Sequence, residues 1–237
     1  GRAFCCMLRP TMAIQRNKFY PAQTGLEQFI RHRSRYSGSF GDYNAISSGV
    51  NMSYIAIYGS KRGVLEYYKA RGAMLFGSFA SCSDIDFTRI ERLVFVCKGN
   101  ICRSAYADVF GQHLGLVCDS AGIDASPGAL ANDRVMAVAE KRALDMSQHR
   151  TRRLDQQRFT RSDLLIGMEP WHLAHMRTAA NGAQVTLLGL WHTLRRPYLH
   201  DPFGAPQPYL ETCIDYIEQS VQQLARHIAQ PLRPHAA

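Results

Sequence analysis

Apolar and polar positions are patterned differently before and after about residue 90. Leu93-Val94-Phe95-Val96 is an unbroken apolar run of strand length. A strand buried on both faces of a parallel sheet takes this form. A Gly-Asn turn follows, and then a helical stretch over about 104–114. Residues 116–121 read as a second strand, 164–168 as a third and 185–188 as a fourth. Asn132 is placed to cap a helix carrying Val135, Met136, Val138, Ala139 and Leu144, and Pro170 suits the first turn of another. In the last helix Leu210, Ile214, Ile217, Val221, Leu224 and Ile228 recur at spacings of four and three. Strands alternating with helices predict an α/β fold, a three-layer sandwich around a four-stranded, mostly parallel sheet.

The first third reads otherwise. Residues 1–61 are rich in Ser, Gly, Tyr and Arg and show little periodicity. Too little apolar surface is available there to offset the entropy of ordering, so a basic, poorly ordered extension is expected. Residues 62–88 read as a lead helix and linker, 89–231 as the folded domain and 232–237 as a tail. Val64, Leu65, Tyr68, Leu75, Phe76 and Phe79 fall roughly on one face of the lead helix. That stripe is expected to dock on the domain or to lie on a membrane. Gly72 is expected to interrupt the helix, at about 1 kcal/mol relative to Ala.

Charge sharpens this division. The 237 residues carry a net +9, but residues 1–85 hold eleven Lys/Arg against four Asp/Glu, and the other 152 hold seventeen against fifteen. An anionic partner for residues 1–61, nucleic acid or a membrane surface, is one expectation, with Arg31, Arg33, Arg35 and Tyr36 as contacts; a solvated extension is the other. The chain opens on Gly1 rather than Met, so residues 1–88 are read either as a genuine extension or as an overextended reading frame. In the second case, deleting them leaves the folded domain active. No run of eighteen apolar residues predicts a transmembrane helix, and the first nine residues lack the apolar core of a secretory signal. Seven cysteines, without paired C-x-x-C modules, suggest a reducing, cytoplasmic setting with neither metal nor cofactor.

The candidate chemistry lies in Val96-Cys97-Lys98-Gly99-Asn100-Ile101-Cys102-Arg103-Ser104. A loop between a buried strand and a helix stands at the carboxyl edge of the sheet, where open α/β folds bind their ligands. Backbone N–H groups opening a helix favour an anion. Arg103, six residues after Cys97, adds a planar fork of donors suited to two phosphate oxygens. Gly99 and Asn100 tolerate the left-handed backbone a tight cradle needs. The same field favours the thiolate of Cys97, which then attacks phosphorus to give a phosphocysteine. Ser104 is placed to donate to the sulfur as it leaves.

C-x-G-N-x-C-R-S after an apolar strand resembles the phosphate-binding loop of the low-molecular-weight protein tyrosine phosphatases, and the similarity runs from about Arg92 to about Ile228. Ser120-Ala121-Gly122, His149 with Arg150 and Arg152, and Asp163 at the third strand are similar to further segments of that family. The resemblance implies a low-molecular-weight phosphatase domain over 89–231, catalysis by Cys97, Arg103 and Asp201, and phosphate binding by residues 98–102 and Ser104. It also implies a hydrogen-bonded network of Asn100, Ser104, Ser120 and His149 supporting the loop. Asp201-Pro202-Phe203 resembles the family's Asp-Pro-Tyr motif, 104 residues past Cys97. Asp201 is then the acid that protonates the leaving oxygen and the base that activates water, a role typically worth about 10²–10⁴ in rate. Phe203 keeps an aromatic wall for the substrate.

Ala105 stands where the family has proline, Phe203 where it has tyrosine, and the loop 123–128 lacks the aromatic residue found in many eukaryotic members. The last feature is more similar to the bacterial class acting on capsule and exopolysaccharide tyrosine kinases. A tyrosine-phosphorylated protein is therefore the expected partner. Arsenate reductases of this fold use further cysteines after the third strand, and Met168 to Met176 contains none. Protein-arginine phosphatases carry a threonine where this chain has Ile101, whose bulk suits a flat ring better than a phosphoguanidinium. Cys102, across the loop from Cys97, is a candidate for a reversible protective disulfide or for simple loop packing.

Overall fold

The computed structural model describes residues 54–229. The expectations for residues 1–53, Arg31, Arg33, Arg35 and Tyr36 among them, and for the tail 232–237 lie outside the described residues. Three short helices lead in, α1 (Tyr54–Tyr58), α2 (Lys61–Leu75) and α3 (Ala80–Ser83), followed by a 3-10 turn at Phe87–Arg89. Then β1 (Arg92–Cys97), α4 (Arg103–His113), β2 (Cys118–Gly122), α5 (Asp133–Lys141), β3 (Asp163–Gly167), α6 (His172–Ala179), β4 (Gln184–Leu187) and α7 (Gln207–Ala229) succeed one another.

The sheet order is β2-β1-β3-β4, and every pairing is parallel. Alternate side chains of β1 serve opposite faces. Leu93, Phe95 and Cys97 meet α4, α5 and α7 through Tyr106, Val135, Ile214 and Leu224, while Val94 and Val96 meet Leu173 and Met176 of α6. The result is the expected three-layer sandwich. Its helix termini obey local chemistry: Asn132 accepts from the Arg134 amide at 3.1 Å, capping α5. The register sets Cys97 beside Gly122 and Val96 beside Gly167, so the loops after β1, β2 and β3 emerge at one edge.

The lead segment departs from its sequence pattern. Helix α2 runs unbroken through Gly72 to Leu75, so that glycine does not interrupt it. The stripe does not form the docked face either: Leu75 is 78% exposed and Phe76 90%, and of the six only Phe79 is buried. Small residues make the approach instead, with Gly63 and Ala70 buried. A Cβ on Gly59 would stand 2.6 Å from the His200 ring and 2.8 Å from that of Tyr209. Ser60, the N-cap of α2, also meets His200 Nε2 at 3.0 Å. Arg71 donates to the carbonyls of Leu194 and Arg195, at 3.3 and 2.9 Å. The Arg196 guanidinium sits over the rings of Tyr58, Tyr67 and Tyr216, 5.5, 4.8 and 4.2 Å from their centres. Further on, Phe79 and Cys82 join the core that covers Val94, Val96 and Leu187. Residues 54–90 are thus packed against the sheet domain.

Candidate active site

The loop after β1 is held by its carbonyls. Cys97 O accepts from the Ile123 amide at 3.0 Å, Lys98 O from Asp124 at 2.8 Å and Ile101 O from Asn132 at 2.8 Å. Asn100 O meets His149 Nε2 at 2.8 Å; a carbonyl can only accept, so that nitrogen carries the proton. Burial pushes the His149 pKa down, consistent with a neutral ring. With these carbonyls turned outward, the amides of the loop are left facing its centre.

Asn100 is the hub of the loop. Its φ of 55° lies in the left-handed region, as expected. Gly99 is not in that region, and a Cβ there would meet nothing nearer than Ile101 at 3.6 Å, so its glycine character is not what shapes the loop. The Arg152 amide donates to Asn100 Oδ1 at 2.9 Å, which fixes the orientation of the carboxamide. Nδ2 must then face Ser104 Oγ, to which it donates at 2.9 Å. With that lone pair used, the Ser104 hydroxyl is free to donate to Cys97 Sγ, 3.0 Å away; the alternative acceptor, Ala121 O, is at 3.5 Å. The Asn100 amide also points at Cys97 Sγ, at 3.2 Å. Two donors therefore converge on a buried sulfur, the arrangement that stabilises a thiolate.

Ser120 stands apart from this network. Its hydroxyl donates to Asp108 Oδ2 at 2.9 Å, tying β2 to α4 behind the loop. Gly122, two residues on, matters more to the loop's shape: a Cβ there would lie 2.9 Å from both the Asn100 nitrogen and Lys98 O.

Arg103 is 1% exposed and heavily partnered on one side. Nη1 donates to Glu169 Oε1 at 2.5 Å and to Leu199 O at 2.7 Å, while Nη2 meets Asp201 Oδ2 at 3.0 Å. Nε, buried, has no hydrogen-bond partner. A buried donor without a partner is costly unless a ligand supplies one. Glu169 was not among the residues expected from the sequence. It lies two positions past β3, where the register brings that strand's end beside β1. A carboxylate following a buried parallel strand at the loop-bearing edge was the available signal.

Asp201 is partly exposed at the mouth, and its Oδ1 accepts from the Phe203 amide at 3.2 Å. Phe203 is 64% exposed and Lys98 is exposed, while Ile101 is partly so. Cys102 is buried, and that burial, with Cys97 nearby, pushes its thiol pKa well up. Among the described residues there is no group of three or more His, Cys, Asp or Glu able to hold a metal ion.

An all-parallel α/β sandwich with a thiol at the carboxyl edge, an anion cradle and a buried arginine defines the class of cysteine-based phosphatases. The family model for low molecular weight phosphotyrosine protein phosphatase matches residues 92–233, and the chain belongs to that family. It is 29% identical over 140 residues to the low molecular weight protein-tyrosine-phosphatase Wzb of Salmonella typhi, covering 57% of this chain and 93% of that one. Against Wzb of Escherichia coli K12 it is 30% identical over 141 residues, covering 57% and 94%. The solved structure of the tyrosine phosphatase Wzb from Escherichia coli K30, in complex with sulphate, aligns with a TM-score of 0.52 at 26% identity, covering 59% of this chain and 99% of that one.

Proposed function

We propose that this chain hydrolyses phosphotyrosine in proteins through a phosphocysteine intermediate, with Cys97 as nucleophile, Arg103 as phosphate ligand and Asp201 as acid and base. The observation that supports it most is the convergence of the Asn100 amide and the Ser104 hydroxyl on Cys97 Sγ, at 3.2 and 3.0 Å. The unpartnered Nε of Arg103 adds a donor for an anion beside that sulfur.

An arriving phosphate competes with Asp201 for Arg103 Nη2 and takes Nε as its second donor. Asp201, released from the arginine, takes up the proton of the phosphate monoester monoanion and turns towards the leaving oxygen. The Cys97 thiolate then attacks phosphorus; the P–O bond to tyrosine breaks as Asp201 gives its proton to the departing phenolate. In the second step Asp201 takes a proton from water, the resulting hydroxide attacks phosphorus, and the S–P bond breaks. Inorganic phosphate leaves, and the Ser104 hydroxyl stabilises the returning thiolate. The loop of residues 98–102 binds the non-bridging oxygens through its amides, and Phe203 stands at the mouth beside the ring.

The proposed catalytic domain spans 89–231, with 62–88 packed on it. Its partner is a tyrosine-phosphorylated protein, in keeping with relatives named protein-tyrosine-phosphatases; the absence of an aromatic residue from loop 123–128 favours a bacterial tyrosine kinase or an exopolysaccharide-related protein. A cytoplasmic setting suits the cysteines of the described residues, Cys82, Cys97, Cys102, Cys118 and Cys213, which are free thiols. Hydrolysis of matched phosphotyrosine, phosphoserine and phosphoarginine peptides tests the reading, with Cys97→Ser and Asp201→Asn as controls. Phosphotyrosine turnover lost in Cys97→Ser and reduced about 10²–10⁴-fold in Asp201→Asn is expected. Preferred turnover of phosphoarginine would replace the substrate, and turnover surviving Cys97→Ser would overturn the mechanism.

A further inference from the structure

Helix α2 lies outside the family-matched residues 92–233, yet it stands beside the arginine pocket of the loop. Between α2 and the start of α6 there is a cleft of about 320 Å³, lined by Arg62, Glu66 and Lys69 on one side and by Glu169, Trp171 and Tyr198 on the other. That volume falls within the range of sites that hold small ligands or a few side chains, about 300–1,000 Å³.

The cleft adjoins the phosphate site through one side chain. Glu169, which lines it, is the carboxylate that holds Arg103 Nη1 at 2.5 Å. Arg62 and Tyr198 line the cleft together, the Tyr198 hydroxyl meets His200 Nδ1 at 2.8 Å, and His200 adjoins Asp201. The wall is also held in place. The Ser60 contact with His200, the close approach of Gly59 and the Arg71 bonds to 194–195 fix both ends of α2 on the domain.

The charges of the cleft are not all balanced within it. Lys69 pairs with Glu66 at 3.0 Å, and Glu169 is engaged by Arg103. Arg62 is exposed and makes no ion pair among the described residues, so the uncompensated charge of the wall is positive. Trp171, also exposed, offers a ring opposite it. Glu169 and Trp171 follow β3 at the sheet edge that also carries the loop after β1, so the cleft opens on the side from which a phosphorylated side chain would enter.

We propose that the cleft between α2 and α6 is a subsite for the polypeptide flanking the phosphorylated side chain, and that Arg62 there receives an acidic residue of the substrate. The inference rests on the phosphatase reading of Cys97. It makes the lead helix a determinant of specificity, supplied from outside the family-matched span.

The test uses the full chain and two phosphotyrosine peptides that differ only in having Asp/Glu or Asn/Gln beside the phosphotyrosine. The readout is the ratio of kcat/KM for the acidic over the neutral peptide, which is insensitive to the fraction of enzyme correctly folded. In the wild type the ratio is expected to be about five or more, and to shrink in high salt, as a partly exposed charge pair requires. In Arg62→Ala it falls to about one, in Arg62→Glu below one, and in Arg62→Lys most of it is kept. A wild-type ratio of one, or a ratio unchanged in Arg62→Glu, overturns the inference. The underlying reading fails separately: wild-type enzyme that hydrolyses neither peptide nor a simple aryl phosphate removes the reaction itself.

Discussion

Glu169 and Arg103, 66 positions apart, meet at 2.5 Å between Oε1 and Nη1 in a nearly solvent-free pocket. The carboxylate holds the guanidinium at Nη1 while Nε stays without a hydrogen-bond partner. Glu169→Gln replaces an ion pair by a hydrogen bond to an uncharged carboxamide. Hydrogen bonds between charged groups contribute about 1.5–3 kcal/mol, so kcat/KM for an aryl phosphate is expected to fall roughly ten- to hundredfold. Steady-state kinetics beside a thermal melt separates this from unfolding. An unchanged kcat/KM would show that the Glu169 charge is not needed to position the arginine.

Gly122 gives a second, purely steric prediction. An added methyl would lie 2.7 Å from Ala125 Cβ and 2.9 Å from Asn100 N and Lys98 O, all in the loop or against it. Gly122→Ala is expected to destabilise by about 1–3 kcal/mol and to lower kcat by more than that loss of folded protein explains. Denaturant melts and turnover on the same preparation test it.

A third concerns acid. His172 accepts from the Met168 amide at 3.0 Å through Nδ1 and is fully buried. Burial first, then the nearby Arg103, push its pKa down to about 2, and burial pushes His192 down to about 4. The unfolded chain, titrating near pH 6.5, binds these protons first. Stability is therefore complete above about pH 6.5 and declines as pH falls towards 4, with a slope of up to about 1.4 kcal/mol per pH unit per histidine. His172→Asn, which keeps an acceptor but does not titrate, is expected to remove one such contribution. Urea melts at pH 4.5, 5.5 and 6.5 measure the slope; an identical slope in the variant would contradict the assignment.

Truncation is the fourth. Deleting residues 1–88 removes Phe79 and Cys82 from the face formed by Val94, Val96 and Leu187. Fully burying a large apolar side chain contributes about 1.5–3 kcal/mol, so a loss of several kcal/mol is expected. The overextended-frame reading predicts no loss. The urea midpoints of the full chain and a 89–237 fragment decide between them.

Much of the fold is legible in the chain because the sheet is simple. Leu93-Val94-Phe95-Val96 is apolar throughout as both its faces are covered, and the spacing in 210–228 matches one buried helix face. The expected boundaries of the second to fourth strands fall within about two residues of those observed, as end effects usually allow. Cys97, Asn100, Arg103 and Ser104 were legible because they share one local loop. Glu169 was not, since it joins the site only through β-strand register. The docked face of α2 misled for another reason. Close helix approach selects small residues such as Gly63 and Ala70, which a search for large apolar spacing passes over. Ser120 is reachable by sequence position alone, but its Asp108 partner sits on α4 and competes for its single hydroxyl.

The outward carbonyls of the loop carry one more consequence. Their donors come from Ile123, Asp124, Asn132 and His149, and the Asn100 carboxamide is held from Arg152, so the cradle is braced by chain reaching more than fifty residues beyond Cys97. No local fragment contains it. Partial openings that detach β2 or α5 must also dissolve the cradle, and the Asn100 amide, shielded against Sγ, is expected to exchange with deuterated solvent as slowly as the core strands. Catalytic competence in this chain is then a cooperative property of the folded domain, gained late during synthesis and lost at the first large opening.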